Sequence, residues 1–185
     1  MLCEFRFHGR GGQGAVTAAE LLVKSANIEG KWGQSFPFFG AERRGAPVTA
    51  FARISDERKS LHSMICSPDV VVVLDSRILD DVDVTNGLKR CGILVFNSSK
   101  FSDLQQRFGD FKVFCVDATK IARELGLSMG GWMIVNTSIL GAVVKAVGLL
   151  KLESVLEAIE LAWPGRVGQV NSEAARKAFF EVNTL

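Results

Sequence analysis

The residues best placed to do chemistry lie within the first fourteen: Phe5-Arg6-Phe7-His8-Gly9-Arg10-Gly11-Gly12-Gln13-Gly14. Four glycines there separate two hydrophobic periods. Before them, Phe5 and Phe7 alternate with Glu4, Arg6 and His8, the period of a half-buried strand. After them, Ala15, Ala18, Ala19, Leu22, Val23 and Ala26 recur at helical spacing, with Thr17, Glu20, Lys24 and Asn27 on the other side. Glycine has no Cβ, so such a loop can turn sharply and bring backbone N–H groups against a ligand. It then enters a helix N-terminus, where unpaired N–H groups and the helix dipole favour an anion.

Gly9-x-Gly11-x-x-Gly14 matches the dinucleotide-binding pattern, with a strand before it and a helix after. The next requirement fails. A carboxylate should end the second strand roughly 20 residues on, but Lys31-Trp32-Gly33-Gln34-Ser35-Phe36-Pro37 contains no acid. A phosphate-bearing group of another kind is the better physical reading. The competing reading is a glycine loop needed only for close helix–sheet packing.

A second cluster lies further on. The stretch from Trp32 to Pro47 reads as irregular, with Phe36-Pro37-Phe38-Phe39-Gly40 leading into Ala41-Glu42-Arg43-Arg44-Gly45. Arg43 and Arg44 suggest an anion contact or a partner surface, against a plain solvated turn. Three Phe in four residues on a long loop need cover.

Other chemistry is missing. His8 and His62 are the histidines, and no Gly-x-Ser-x-Gly elbow, phosphate loop with Gly-Lys-Ser/Thr, or paired acids occur. Cys3, Cys66, Cys91 and Cys115 are widely spaced with no Cys-x-x-Cys, which excludes the usual local signatures for zinc or iron–sulfur ligation. Three of them fall in or beside apolar runs, where a free cysteine is usually a small core residue. A reduced, cytoplasmic compartment fits, and Glu4 and Arg6 interrupt any apolar leader. The net charge of +2 and absence of Tyr argue against nucleic acid.

The rest of the chain supplies the frame that holds the loop. Pro47 to Ile54 alternates as a strand; Val70 to Leu74, Gly92 to Asn97 and Lys112 to Val116 read as buried strands. Asp75 can cap the segment after Leu74, and Asp117 can cap a helix over 118–125. Gly130-Gly131 is read as opening a helix from about Trp132 to Val147, apolar nearly all round and suited to packing against another subunit. Asn136, Thr137, Ser138 and Lys145 keep it from being a membrane span. Asn136 is the polar residue to mark on it, for ligand contact or for bonding a loop backbone in the core. An amphipathic helix over 152–163 and a last helix capped by Asn171-Ser172-Glu173 complete the chain. The expectation is one α/β domain over residues 1–185, three-layer α/β/α with a largely parallel, Rossmann-like sheet.

These residues resemble a known family. His8-Gly9-Arg10-Gly11-Gly12-Gln13-Gly14 with its small-residue helix is similar to the start of the gamma subunit of 2-oxoacid:ferredoxin oxidoreductases, of which pyruvate synthase is the best-known member. Glu42, Arg44 and Gly45 match a Glu-x-Arg-Gly-Gly segment, with Ala46 in place of the second Gly. The strand from Pro47, the Asp69–Asp75 strand, Asn136 with Leu140-Gly141-Ala142, and the Asn171 helix extend the likeness over essentially the whole chain. The resemblance implies a subunit of an anaerobic, cytoplasmic, multi-subunit enzyme. That enzyme converts pyruvate, coenzyme A and oxidised ferredoxin to acetyl-CoA, CO2 and reduced ferredoxin. Thiamine diphosphate with Mg2+ and [4Fe–4S] clusters are implied on the alpha, beta and delta partners, none on this chain alone. Ferredoxin or flavodoxin is implied as electron acceptor, and coenzyme A as the substrate on this chain's side. Gly9, Arg10, Gly11, Gly12, Gln13 and Gly14 are then candidates for a phosphate or pyrophosphate contact, with Arg43, Arg44 and Asn136, and no catalytic acid or base is assigned. A stand-alone NAD(P)- or flavin-binding oxidoreductase and a non-catalytic nucleotide-binding module are the alternatives.

Overall fold

A computed structural model of the chain describes residues 1–38, 46–59 and 63–184. Glu42, Arg43, Arg44, Gly45 and His62, as well as Phe39 and Gly40, lie outside the described residues.

Six strands form one sheet in the order β2-β3-β1-β4-β5-β6. They are β1 (Leu2–Arg10), β2 (Trp32–Phe38), β3 (Pro47–Ser55), β4 (Val70–Val73), β5 (Ile93–Asn97) and β6 (Lys112–Val116). β1, β4, β5 and β6 run parallel; β3 lies antiparallel between β1 and β2. The Val70–Val73 run is buried on both faces. Val70 and Val72 belong to one apolar cluster and Val71 and Val73 to the other, as parallel strands between two layers require. The architecture is three-layered α/β/α with a largely parallel sheet, as the alternation of strands and helices implies.

One face is covered by α1 (Ala15–Ile28), α3 (Ala118–Glu124), α4 (Asn136–Val147), α5 (Leu152–Ala162) and α6 (Arg166–Glu181). The other carries a 3-10 turn (Ser76–Asp80), the segment around Val84 and α2 (Phe101–Phe108). Asp75 caps the turn by accepting from the Arg77 N–H, and Asp117 caps α3 by accepting from the Lys120 N–H, both as their types at those positions require.

Several expectations are corrected. Residues 32–38 are a strand rather than an irregular loop: β2 is the sheet edge, where Gly33 and Pro37 are tolerated because one side of the strand needs no partner. Phe36 finds its cover there by stacking on Phe51 with ring centroids 5.3 Å apart. The apolar helix begins at Asn136, not Trp132. Gly130 and Gly131, both at positive φ, make the turn of a small hairpin, β7 (Ser128–Met129) with β8 (Trp132–Met133). Nor does α4 wait for another subunit: α1, α5, α6 and the sheet of this same chain bury it. The last helix starts at Arg166, and Asn171 lies inside it, accepting from Thr137 Oγ1 at 2.9 Å and donating to the Val167 carbonyl. Two cysteines, Cys3 and Cys115, are buried, whereas Cys66 and Cys91 are exposed on turns next to their strands. No helix among the described residues is long and apolar enough to cross a membrane.

Candidate functional site

The sheet order places the site. From β1 the chain passes through α1 to β2 and β3 on one side, then returns to β4 on the other. The crevice outside the carboxyl ends of β1 and β4 is the topological switch point at which open α/β sheets take ligands. The glycine loop, residues 10–14, leaves β1 there and enters α1. Gly14, at φ +82°, is the residue before the helix, and no side chain caps it. α4 starts beside it, also without a side-chain cap. A Cβ built on Gly14 would stand 2.6 Å from Asn136 Nδ2, so glycine is demanded twice, by backbone conformation and by this close approach. Two helix N-termini therefore converge on one spot.

The loop is braced from within. The Gly11 N–H donates to the Ala46 carbonyl and the Gln13 N–H to the Arg10 carbonyl, both at 3.0 Å. Gln13 is buried; its Oε1 accepts from the Arg10 N–H at 2.7 Å and its Nε2 donates to Asp75 Oδ2 at 2.8 Å. Arg10 donates to Asp81 Oδ2 at 2.8 Å and to the Arg77 carbonyl. Gly12 is the exposed crest, at φ +98°, with open space where a side chain would stand. A Cβ built on Gly9 would meet Ala15, Gln13 and Leu74 only at ordinary contact distances. Asn136 is buried and its Oδ1 accepts from the Thr137 N–H at 2.8 Å. The structure thus brings Gly9, Arg10, Gly11, Gly12, Gln13, Gly14 and Asn136 together, while Arg43 and Arg44 lie outside the described residues.

Beside the loop lies a cleft of about 280 Å³, lined among others by Gln13, Asp75, Arg77, Asn97, Trp132 and Met133. Asp75 is its hub. The buried carboxylate accepts from the Arg77 N–H and Nε at Oδ1 (3.0 and 2.9 Å), and from Arg77 Nη2 at 2.6 Å and Gln13 Nε2 at Oδ2. Burial pushes this carboxyl up, but the bonds from Arg77 and Gln13 outweigh it and hold it below the ordinary aspartate value. The Arg77 guanidinium lies over the Trp132 ring, 5.9 Å from its centroid. Asn97 ties the neighbouring strand end in place by donating to the Leu74 carbonyl and Thr119 Oγ1. The sequence does not mark Asp75, Arg77 or Trp132 for ligand contact. Asp75 reads there as a cap, which it also is, and Trp132 as the first turn of a helix.

His8 faces away from α1, at the end of β1. It is 5% exposed, and among the described residues its buried Nε2 has no hydrogen-bond partner. Burial, with a smaller contribution from the charge of Arg6, pushes its imidazole down to about 4. The unfolded chain takes up this proton near the ordinary value of 6.5, while the folded chain resists until about 4. Stability therefore falls as pH drops through that window, by about 2 kcal/mol at pH 5. Urea unfolding at pH 7 and pH 5 checks this. His8→Asn is expected to lose that increment of pH dependence, and an unchanged difference would overturn the assignment.

Nothing in the described donor set suits a metal: no group of three or more His, Cys, Asp or Glu is placed to hold one. The nicotinamide reading gains no support either, since β2 runs out at Phe36-Pro37-Phe38 without a carboxylate.

Comparison with known proteins identifies the family. The family model described as pyruvate ferredoxin/flavodoxin oxidoreductase matches residues 4–181. The chain is 54% identical to the pyruvate/ketoisovalerate oxidoreductases common subunit gamma of Thermococcus litoralis, over 96% of each chain. It is 50% identical to the pyruvate synthase subunit PorC of Methanothermobacter thermautotrophicus, over 100% of this chain and 98% of that one. A crystal structure of the pyruvate oxidoreductase subunit PORC of Thermotoga maritima superposes with a TM-score of 0.85 at 38% identity, over 98% and 97% of the two chains. With its glycine loop at the switch point and its alignment to these subunits nearly from end to end, the chain belongs to the pyruvate ferredoxin/flavodoxin oxidoreductase family, among its gamma-type subunits.

Proposed function

We propose that residues 1–185 act as one domain, the gamma subunit of pyruvate synthase, and form the coenzyme A side of its active site. The reaction joins pyruvate, coenzyme A and oxidised ferredoxin to give acetyl-CoA, CO2 and reduced ferredoxin. The carrying observation is the convergence of two helix N-termini, α1 and α4, on the switch-point crevice, an arrangement that favours a phosphate-bearing ligand. The relatives add a second argument. A gamma subunit common to pyruvate and ketoisovalerate oxidoreductases serves two different 2-oxoacids, so its natural place is the part of the site that both reactions share. Thiamine diphosphate with Mg2+ supplies the decarboxylation chemistry and [4Fe–4S] clusters the electron path to ferredoxin or flavodoxin. Both belong to the alpha, beta and delta partners in this reading. This chain's part is to bind and orient the acyl acceptor and to exclude water.

Gly12→Val tests the reading in the assembled enzyme. A β-branched residue at φ +98° strains the loop and covers its exposed crest. The KM for coenzyme A is expected to rise about tenfold or more, equivalent to roughly 1.4 kcal/mol of lost binding, with the KM for pyruvate little changed. An unchanged KM for coenzyme A would sink the loop assignment.

A further inference from the structure

We infer that Arg77 is the phosphate-recognising side chain of the cleft, held for that task by the buried carboxylate of Asp75. The inference rests on the coenzyme A reading and names the residue that makes the charged contact. The side chains of the glycine loop are already engaged. The Gly11 and Gln13 N–H groups are committed to the Ala46 and Arg10 carbonyls, and the Gln13 amide to Asp75 and the Arg10 backbone. The Arg10 guanidinium reaches Asp81 and the Arg77 carbonyl. The helix N-termini offer a phosphate backbone N–H groups, so a charged contact at this crevice must come from another side chain.

Among the described residues lining the cleft the cation is Arg77. Its side chain is 66% exposed, yet it is not loose. Nε and Nη2 grip the two oxygens of a carboxylate that is itself 6% exposed, and the guanidinium carbon lies 5.9 Å from the centroid of the Trp132 ring. This bidentate grip uses one edge of the guanidinium, so Nη1 faces away from the carboxylate by the geometry of the fork. Asp75 is in turn saturated: it accepts from three Arg77 groups and from Gln13. The arginine is therefore already ordered. Such bracing lowers the entropic cost of binding, and a planar fork suits phosphate oxygens better than a flexible ammonium does.

The ligand class is a phosphate carried by the acyl acceptor. Coenzyme A has two sources of it, the diphosphate bridge and the 3′-phosphate of its ribose. The test measures initial rates of the assembled oxidoreductase carrying Arg77→Gln, with coenzyme A and the 2-oxoacid varied in turn. The KM for coenzyme A is expected to rise at least about tenfold, while that for the 2-oxoacid moves less than about twofold. Arg77→Lys is expected to recover only a minor part, because lysine cannot grip Asp75 with two donors. Repeating the comparison with dephospho-coenzyme A separates the sources. If the penalty of Arg77→Gln vanishes with this substrate, the contact is to the 3′-phosphate; if it persists, it is to the diphosphate. An unchanged KM for coenzyme A in Arg77→Gln, alongside a raised one in Gly12→Val, overturns the role of Arg77 and leaves the coenzyme A reading standing. No change in either variant overturns both.

Discussion

Gly141→Val is expected to prevent stable folding of the chain. Gly141 lies in α4 at its contact with α6, and a Cβ built there would run into the Ala175 carbonyl oxygen, with the Ala175 carbonyl carbon at 2.8 Å and the Phe179 nitrogen at 3.0 Å. These are backbone atoms of a packed helix and cannot turn aside as a side chain could. Ala174, Ala175 and Ala178 of α6 and Ala142 of α4 are all fully buried, so the two helices touch through small residues. Even alanine would gain about 1 kcal/mol of helix propensity but must push α6 outward, at an overpacking cost of roughly 1–3 kcal/mol or more. Valine adds two further methyl groups and is expected to cost about 4 kcal/mol or more, a large part of the stability of an ordinary domain. The urea midpoint of the chain measures it. Gly148→Ala is the control: that glycine ends α4 at φ +65° with open space around it, so only backbone strain of about 1 kcal/mol applies. Equal losses at the two positions would refute the packing argument.

Glu4→Ala is expected to cost about 3 kcal/mol although Glu4 is not in the site. Its Oε1 accepts from Arg53 Nε at 2.8 Å, and Arg53 is 1% exposed, one of the largest fully buried side chains. Arg53 also donates Nη2 to the Ser63 carbonyl and lies over the Phe36 ring. Among the described residues, its Nη1 has no partner. Removing the carboxylate leaves a buried cation without a counter-charge, for which roughly 3–5 kcal/mol is usual. The lower end applies because Glu4 keeps 17% of its side-chain exposure. Replacing both partners, Glu4→Leu with Arg53→Met, is expected to recover most of the loss, since a well-packed apolar pair of similar volume is often neutral. Denaturant unfolding measures the loss in Glu4→Ala, and unfolding of Glu4→Leu, Arg53→Met and the double variant closes the cycle. A double variant as unstable as the sum of the singles would show that the pair is not coupled.

That β1, β3, β4, β5 and β6 are strands, that the sheet is largely parallel, and that a glycine loop joins the first strand to the first helix are legible in the amino-acid order; the edge strand β2, with its Gly33 and Pro37, and the starts of α4 and α6 are not. Hydrophobic period and glycine are local signals, and burial on two faces of a strand is written directly in a run such as Val70–Val73. Local signals cannot tell which distant side chains meet. Only the folded chain shows that Gln13 reaches Asp75, 62 positions away, and that Asn136 closes on Gly14. Tertiary contact also takes Trp132 out of the helix to lie against Arg77, because the hairpin turn at Gly130-Gly131 packs it there. By type Arg53 reads as a polar strand position, yet the fold buries it, because Glu4 on the neighbouring strand supplies the charge that makes burial tolerable. The helix starts at Asn136 and Arg166 carry no side-chain cap, so the local signal that marks a helix start in a sequence is missing at both.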